Sequence, residues 1–160
     1  DSWATIGKPE SRRGNTITSL ALEADVQERH NIKLQKKYAE IEANEVRYST
    51  YKTEDAEHLI VAFGCMSRIG EAVVDYAREQ GYKVGLLRPI TLFPYPKAAI
   101  EALIPQLKSI MSVELNAGQM VEDIKVIANG RVPVNFYGRQ GGMIPDPEEV
   151  FEAFVKSINK

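Results

Sequence analysis

Cysteine occurs once in the 160 residues, at Cys65, and histidine twice, at His30 and His58. One thiol rules out an intramolecular disulfide and any cluster of thiolate ligands built within the chain, and it favours a reducing, cytoplasmic compartment. Long hydrophobic runs are missing as well. The apolar stretches last only a few residues, against the roughly 20 that a membrane-spanning helix needs. Charge of one sign is nowhere gathered: 20 Lys and Arg are mixed with 22 Asp and Glu for a net charge of -2, so neither a nucleic acid nor an anionic membrane is an expected partner. The chain opens on Asp1-Ser2-Trp3 with no initiator methionine and no basic-then-apolar leader, and it reads as a fragment of a longer protein, cut upstream of Asp1. Apolar residues make up 44% and charged residues 26%, which allows one domain with a real core plus an appendage. Two full domains would be crowded.

Residues 58–96, HLIVAFGCMSRIGEAVVDYAREQGYKVGLLRPITLFPYP, spell out a strand, a helix, a second strand and an exit loop. The apolar run 60–63 stops at Gly64, and Ile69, Ala72, Val73, Tyr76, Ala77 and Gln80 then recur at helical spacing until Gly81, the pattern of a helix with a glycine stop. Residues 84–87 form a second apolar run, closed by Arg88-Pro89. Strands that pair in parallel need a long crossover, and a helix supplies it.

The rest of the chain extends this unit. Residues 1–23 carry Gly7, Pro9, Gly14 and the pair Arg12-Arg13 without a sustained period, as an irregular or mobile arm would. Trp3 is the exception there, either unanchored or an anchor against a neighbouring surface. Asp25 and Glu28 have capping-box spacing and predict a helix to about Ala43, with Val26, His30, Leu34, Tyr38 and Ile41 on one face. That face packs on its own domain or on a part of the protein outside this chain. Residues 1–44 are thus expected to form an arm and linker helix, and residues 45–160 the domain proper.

Residues 45–51, EVRYSTY, suit an edge strand. Beyond the exit loop come a helix over 96–103 broken near Pro105, a strand over 110–115, and a turn at Asn116-Ala117-Gly118. A helix over 119–128 follows, stopped by Asn129-Gly130. Residues 134–137 are the fourth core strand, 138–142 (GRQGG) a flexible loop. Asp146-Pro147-Glu148-Glu149 opens a last helix with cap, first-turn proline and capping partner, buried through Val150, Phe151, Phe154, Val155 and Ile158. The whole is α/β: a three-layer, open, mostly parallel sheet with helices on both faces.

Chemistry is sparse. Residues 64–70, GCMSRIG, follow a strand and open a helix, where free N–H groups attract anions, so Ser67, Arg68 and Arg139 are candidate anion contacts. The segment lacks G-x-G-x-x-G spacing and a Walker lysine, and Ser67 reads more simply as the helix cap. Cys65 beside that helix start has no base at hand, since His58 precedes the strand at its far end, and it reads as a buried, inert thiol. No histidine pair has metal-ligand spacing, and Glu122-Asp123 and Glu148-Glu149 suit solvated helix faces. Arg88 and Arg139 end core strands, where α/β sheets place ligands, or they form ion pairs across a subunit boundary. A complete enzyme is not expected.

Three segments together carry a resemblance: residues 58–96, then SIMSVELNAGQMVEDIK, then NFYGRQGGMIPDPEEVFEAF. They resemble the C-terminal region of the alpha subunit of 2-oxoacid:ferredoxin oxidoreductases, in the branch acting on 2-oxoglutarate or branched-chain 2-oxoacids. LRPITLFPYP and VELNAGQMVEDI are the most specific pieces, and HNIKLQKKY and NEVRYSTY extend the match upstream. The small-residue turn after the first strand also resembles the transketolase C-terminal domain. The resemblance implies a complex that decarboxylates a 2-oxoacid on thiamine diphosphate with Mg2+, passes electrons through iron–sulfur clusters to ferredoxin and transfers the acyl group to coenzyme A.

Within such a complex, the resemblance implies, this fragment would hold no cofactor of its own. It would be a non-catalytic scaffold contacting the N-terminal domain of its own subunit and the beta, gamma and ferredoxin-like subunits. Val26, His30, Leu34, Tyr38 and Ile41, and the aromatics Phe93 and Tyr95 of an exposed Phe93-Pro94-Tyr95-Pro96 loop, are the expected interface. The same fold would also serve a transketolase or branched-chain oxoacid dehydrogenase, or a stand-alone anion-binding regulatory module.

Overall fold

The computed structural model describes Gly7, residues 10–12, Gly14 and residues 20–159; Trp3 and most of the expected arm lie outside them. The chain divides into two compact units, Asp1–Glu40 and Ile41–Lys160. In the first, the described residues include a 3-10 turn at Glu10–Arg12 and the greater part of helix α1 (Ala24–Asn44). No residue of α1 is buried. The helix begins one residue before Asp25, so the expected capping box does not form. Asp25 instead sits in the first turn and accepts a hydrogen bond from Arg29 Nη1 at 2.7 Å.

The second unit is built on a five-stranded sheet: β1 (Tyr48–Tyr51), β2 (His58–Ala62), β3 (Val84–Pro89), β4 (Ser109–Glu114) and β5 (Val134–Gly138), in spatial order β1-β3-β2-β4-β5. β1 runs antiparallel to β3 at one edge, Tyr48 facing Pro89, and all other pairs are parallel. Connections run through α2 (Cys65–Glu79), α3 (Lys97–Leu103) and α4 (Met120–Ala128), and α5 (Pro147–Ile158) follows β5. Residues of β2 and β4 are buried almost throughout, because helices cover both faces of a parallel sheet.

Alternation along the strands sorts the core into two layers. Leu59, Val61, Leu87 and Ile110 pack with Ile100, Met120 and Ile124 on the α3/α4 side. Ile60, Leu86, Met111 and Val113 pack with Val73, Val74, Val150 and Phe154 on the α2/α5 side. Where α2 crosses β3, a Cβ on Gly70 would lie 3.0 Å from Leu86 Cδ1, so a small residue sets how closely helix and sheet approach. α4 stops as expected: Asn129 takes φ 45° and donates to Lys125 O at 2.9 Å, the left-handed stop that asparagine tolerates.

Three local expectations need correction. Ser67 lies inside α2 rather than before it, and its hydroxyl donates to Gly64 O at 2.7 Å. Cys65, the first residue of α2, is exposed rather than buried, because α2 turns its apolar side inward only from Met66 onward. Asp146 precedes α5 without a side-chain cap bond, and its expected partner Glu149 turns to Tyr137 and Arg139 instead.

Candidate functional site

The path from β2 to β3 leaves toward one side of the sheet, and the path from β3 to β4 returns to the other side of β2. The strand order therefore reverses between β2 and β4. Open α/β sheets form a crevice at such a point, outside the carboxyl ends of the strands, because the flanking loops depart in opposite directions. Here the crevice is a cavity of about 150 Å³ lined by Phe63 from the end of β2, Glu114 and Asn116 from the end of β4, Asp123 from α4, and Leu92 and Tyr95. Leu92, Tyr95 and Asp123 also line a wider groove of about 400 Å³, shared with Val46, Tyr48 and Phe93.

Glu114 is the anchor of the site. It is 1% exposed, and four donors converge on its carboxylate. Oε2 accepts from Gln119 N at 3.1 Å and Met120 N at 2.8 Å, and Oε1 from Val121 N at 2.9 Å and Ser112 Oγ at 2.8 Å. Burial alone would favour the neutral acid, but the bonds from Met120, Ser112 and Gln119 outweigh it and hold the carboxyl below its ordinary value. A carboxylate paired in this way stays ionised. It occupies the start of α4, where the unpaired N–H groups and the helix dipole would otherwise draw an external anion. Asn116 shapes the connecting turn by accepting from Gly118 N at 2.7 Å.

Tyr95 is the opposite case. Its ring joins the α3/α4 core layer at 9% exposure, yet its hydroxyl is shielded from solvent with no hydrogen-bond partner among the described residues. Burial pushes its phenol up strongly, and the charges of Asp123 and Glu114 push the same way, so the hydroxyl keeps its proton.

The expected site residues do not converge. Val26 and Tyr38 are exposed on α1 with His30, while Leu34 and Ile41 are half-buried. Phe93 is 60% exposed, but Pro94, Tyr95 and Pro96 are buried, which corrects the picture of a wholly exposed loop: the Tyr95 ring packs into the apolar layer that includes Leu59, Val61, Ile100 and Ile124. Ser67 is fully buried and its hydroxyl is spent on Gly64, Arg68 is exposed, and Arg139 pairs with Glu149. Tyr137 donates to the same carboxylate, and burial with that bond pushes its phenol up to about 12. Of the three candidate anion contacts, Arg68 is thus the one left exposed, while Ser67 and Arg139 are engaged within the chain.

Sequence reasoning passed over Glu114. The signal was present: an acid ends a strand just before a short Asn-Ala-Gly turn into a helix whose first N–H groups need acceptors.

Comparison with known proteins agrees with this architecture. Residues 56–150 match the family described as pyruvate:ferredoxin oxidoreductase core domain II. The VorB subunit of ketoisovalerate oxidoreductase from Methanothermobacter marburgensis is 46% identical over 149 residues, covering 93% of this chain and 42% of that one. Among solved structures, the 2-oxoglutarate:ferredoxin oxidoreductase from Magnetococcus marinus superposes with a TM-score of 0.68 at 18% identity, over 86% of this chain and 24% of that one. A split-gene transketolase superposes at 0.60 and 14% identity, over 71% and 41%. Both show the shared fold.

The chain therefore belongs to the core domain II family of the 2-oxoacid:ferredoxin oxidoreductases, and its sheet is of the transketolase-like kind. The family is one of thiamine-diphosphate and iron–sulfur complexes built from several subunits. This chain spans 42% of the length of its VorB relative. A single cysteine cannot supply the four thiolates that an iron–sulfur cluster takes, and among the described residues no three His, Cys, Asp or Glu side chains gather to hold a metal ion. No described helix is long and apolar enough to cross a membrane.

Proposed function

We propose that the chain is the second domain, with its preceding linker helix, of the alpha-type subunit of a thiamine-diphosphate-dependent 2-oxoacid:ferredoxin oxidoreductase, and that it works as a scaffold and assembly surface. One observation carries this reading. Large apolar residues are exposed in the segments that follow the carboxyl ends of three strands: Ile90, Leu92 and Phe93 after β3, Leu115 after β4, and Met143 and Ile144 after β5. Apolar surface gathered in this way marks a site of association. The partners are the N-terminal domain of the same subunit and the beta, gamma and ferredoxin-like subunits. α1 supplies a second contact through Val26, Leu34 and Tyr38.

In the assembled complex the reaction is oxidative decarboxylation of a 2-oxoacid to an acyl-coenzyme A with reduction of ferredoxin. The identity to a ketoisovalerate oxidoreductase subunit favours a branched-chain 2-oxoacid. The test is to purify the native protein with its partners and assay bound thiamine diphosphate, iron–sulfur absorbance and coenzyme-A-dependent ferredoxin reduction with ketoisovalerate. Leu34→Asp, Tyr38→Asp and Phe93→Asp should each weaken assembly by roughly tenfold or more, an effect of the size expected for interface residues at the centre of a contact. An intact complex in all three variants would remove the assembly role.

A further inference from the structure

We propose that the switch-point cavity receives a basic side chain, arginine or lysine, carried on an apolar segment of a neighbouring polypeptide in the assembled complex. This rests on the assembly reading above and gives the chemistry of what that surface binds. The Tyr95 hydroxyl is shielded and unpartnered although its residue lines the cavity. Asp123 lines both cavity and groove and makes no hydrogen bond or ion pair among the described residues. Asp123 is exposed, so its carboxylate can be met from solvent, whereas the shielded phenol oxygen on the same cavity lining lacks a partner and suits a donor that reaches both. An anion does not suit the place, because the three N–H groups at the start of α4 that would hold it, those of Gln119, Met120 and Val121, are already bonded to Glu114.

The charges around the opening agree. Glu42, Asp123 and Glu114 face one base, Lys97, across the cavity and groove. Approach to the cavity runs past Val46, Tyr48, Leu92 and Phe93, and the long apolar stems of Lys and Arg lie along such walls while the charged head reaches a polar end. At about 150 Å³ the cavity exceeds the roughly 30 Å³ share of a single water, so an ammonium or guanidinium head has room. A guanidinium suits it better, since its planar fork can donate to Asp123 and Tyr95 Oη together.

Tyr95→Phe and Asp123→Asn in the native complex provide the test. Each should raise the subunit dissociation constant by roughly tenfold to a hundredfold, the loss expected for a hydrogen bond to a charged group, and Asp123→Arg should raise it further by setting like charges together. In the subunit purified without partners, Tyr95→Phe should leave the thermal midpoint unchanged or higher, because it deletes an unsatisfied buried polar atom. A lower midpoint would mean that the hydroxyl serves its own fold, and the proposal would be overturned. Unchanged dissociation constants would overturn it too. Should Leu34→Asp and Phe93→Asp disrupt the complex while Tyr95→Phe and Asp123→Asn do not, assembly stands and the basic side chain is wrong; should all four leave the complex intact, both ideas fall.

Discussion

The two ends of the sheet are built on opposite principles. At the amino ends of the strands, polar groups are paired within the chain. Glu57 bridges Lys83 and Lys108, His58 Nδ1 meets Ser109 Oγ at 2.8 Å, and Gln106 Nε2 donates to Thr53 O at 2.8 Å and Ala56 O at 3.2 Å. At the carboxyl ends, two buried polar atoms, Arg88 Nε and Tyr95 Oη, lack hydrogen-bond partners among the described residues, and the exposed side chains include Ile90, Leu92, Phe93, Leu115, Met143 and Ile144. Native domains satisfy their buried polar groups, so the unsatisfied end is the one where the proposed association would be felt. The contrast also separates residues that hold the fold from those that the proposed function assigns to association.

Glu114 is the point where the two roles meet, and its removal should have the largest effect. Glu114→Ala strips an acceptor from the Gln119 N–H before α4, the Met120 and Val121 N–H groups in its first turn and the Ser112 hydroxyl, and leaving the buried ones unpaired should cost about 3 kcal/mol or more. Chemical denaturation measures it. A loss under about 1 kcal/mol would show that water replaces the carboxylate easily, and the carboxyl end would then be less rigid than the comparison holds. Its folded value is depressed, so its contribution is present above the ordinary carboxyl value of 4.5 and disappears as pH falls through the lower folded value.

At the other end, Gly85→Ala should cost about 1 to 3 kcal/mol through overpacking. A Cβ there would lie 2.7 Å from Lys52 O and 3.0 Å from Thr53 Cα, both backbone atoms of the segment that closes the amino edge. Lys52 already holds φ 51°, which leaves that segment little freedom to retreat. The same variant should leave subunit association unchanged once folded. A fall in the thermal midpoint together with normal affinity would sharpen the division between the two ends, whereas impaired association at full stability would break it.

Strand, helix and edge-strand positions were legible because apolar runs, helical spacing and the punctuation at Gly64, Gly81 and Asn129-Gly130 all act over a few residues. Side-chain partnerships were not. Ser67 and Asp146 carry the right chemistry for caps, but Gly64 already precedes α2, and Glu149 is drawn away by Tyr137 and Arg139 from an adjacent strand. The Phe93-Pro94-Tyr95-Pro96 loop looks exposed from composition, and only the sheet order reveals that Tyr95 falls into the crevice between β2 and β4. Glu114 was hidden for the same reason: a lone acid at a strand end gains its meaning from the helix that starts six residues later, at Met120.

The smallest expected effect belongs to His58 and tests the amino edge by pH. Burial holds its imidazole below the ordinary 6.5, Lys108 adding to this and Glu57 opposing it, while the ring packs edge-on to Phe154 at 5.4 Å. The unfolded chain therefore binds a proton at this position before the folded one does. Stability should be full above pH 6.5 and decline as pH drops below it, a window separate from the carboxylate losses of Asp55, Glu57, Asp75 and Glu114 that begin near their ordinary values of 3.8 to 4.5. Denaturation midpoints measured between pH 8 and pH 5 should show this decline in the native sequence and a flat profile in His58→Gln. A flat native profile would mean that the imidazole can take its proton where it stands, and the amino edge would be more open to water than its pairing implies.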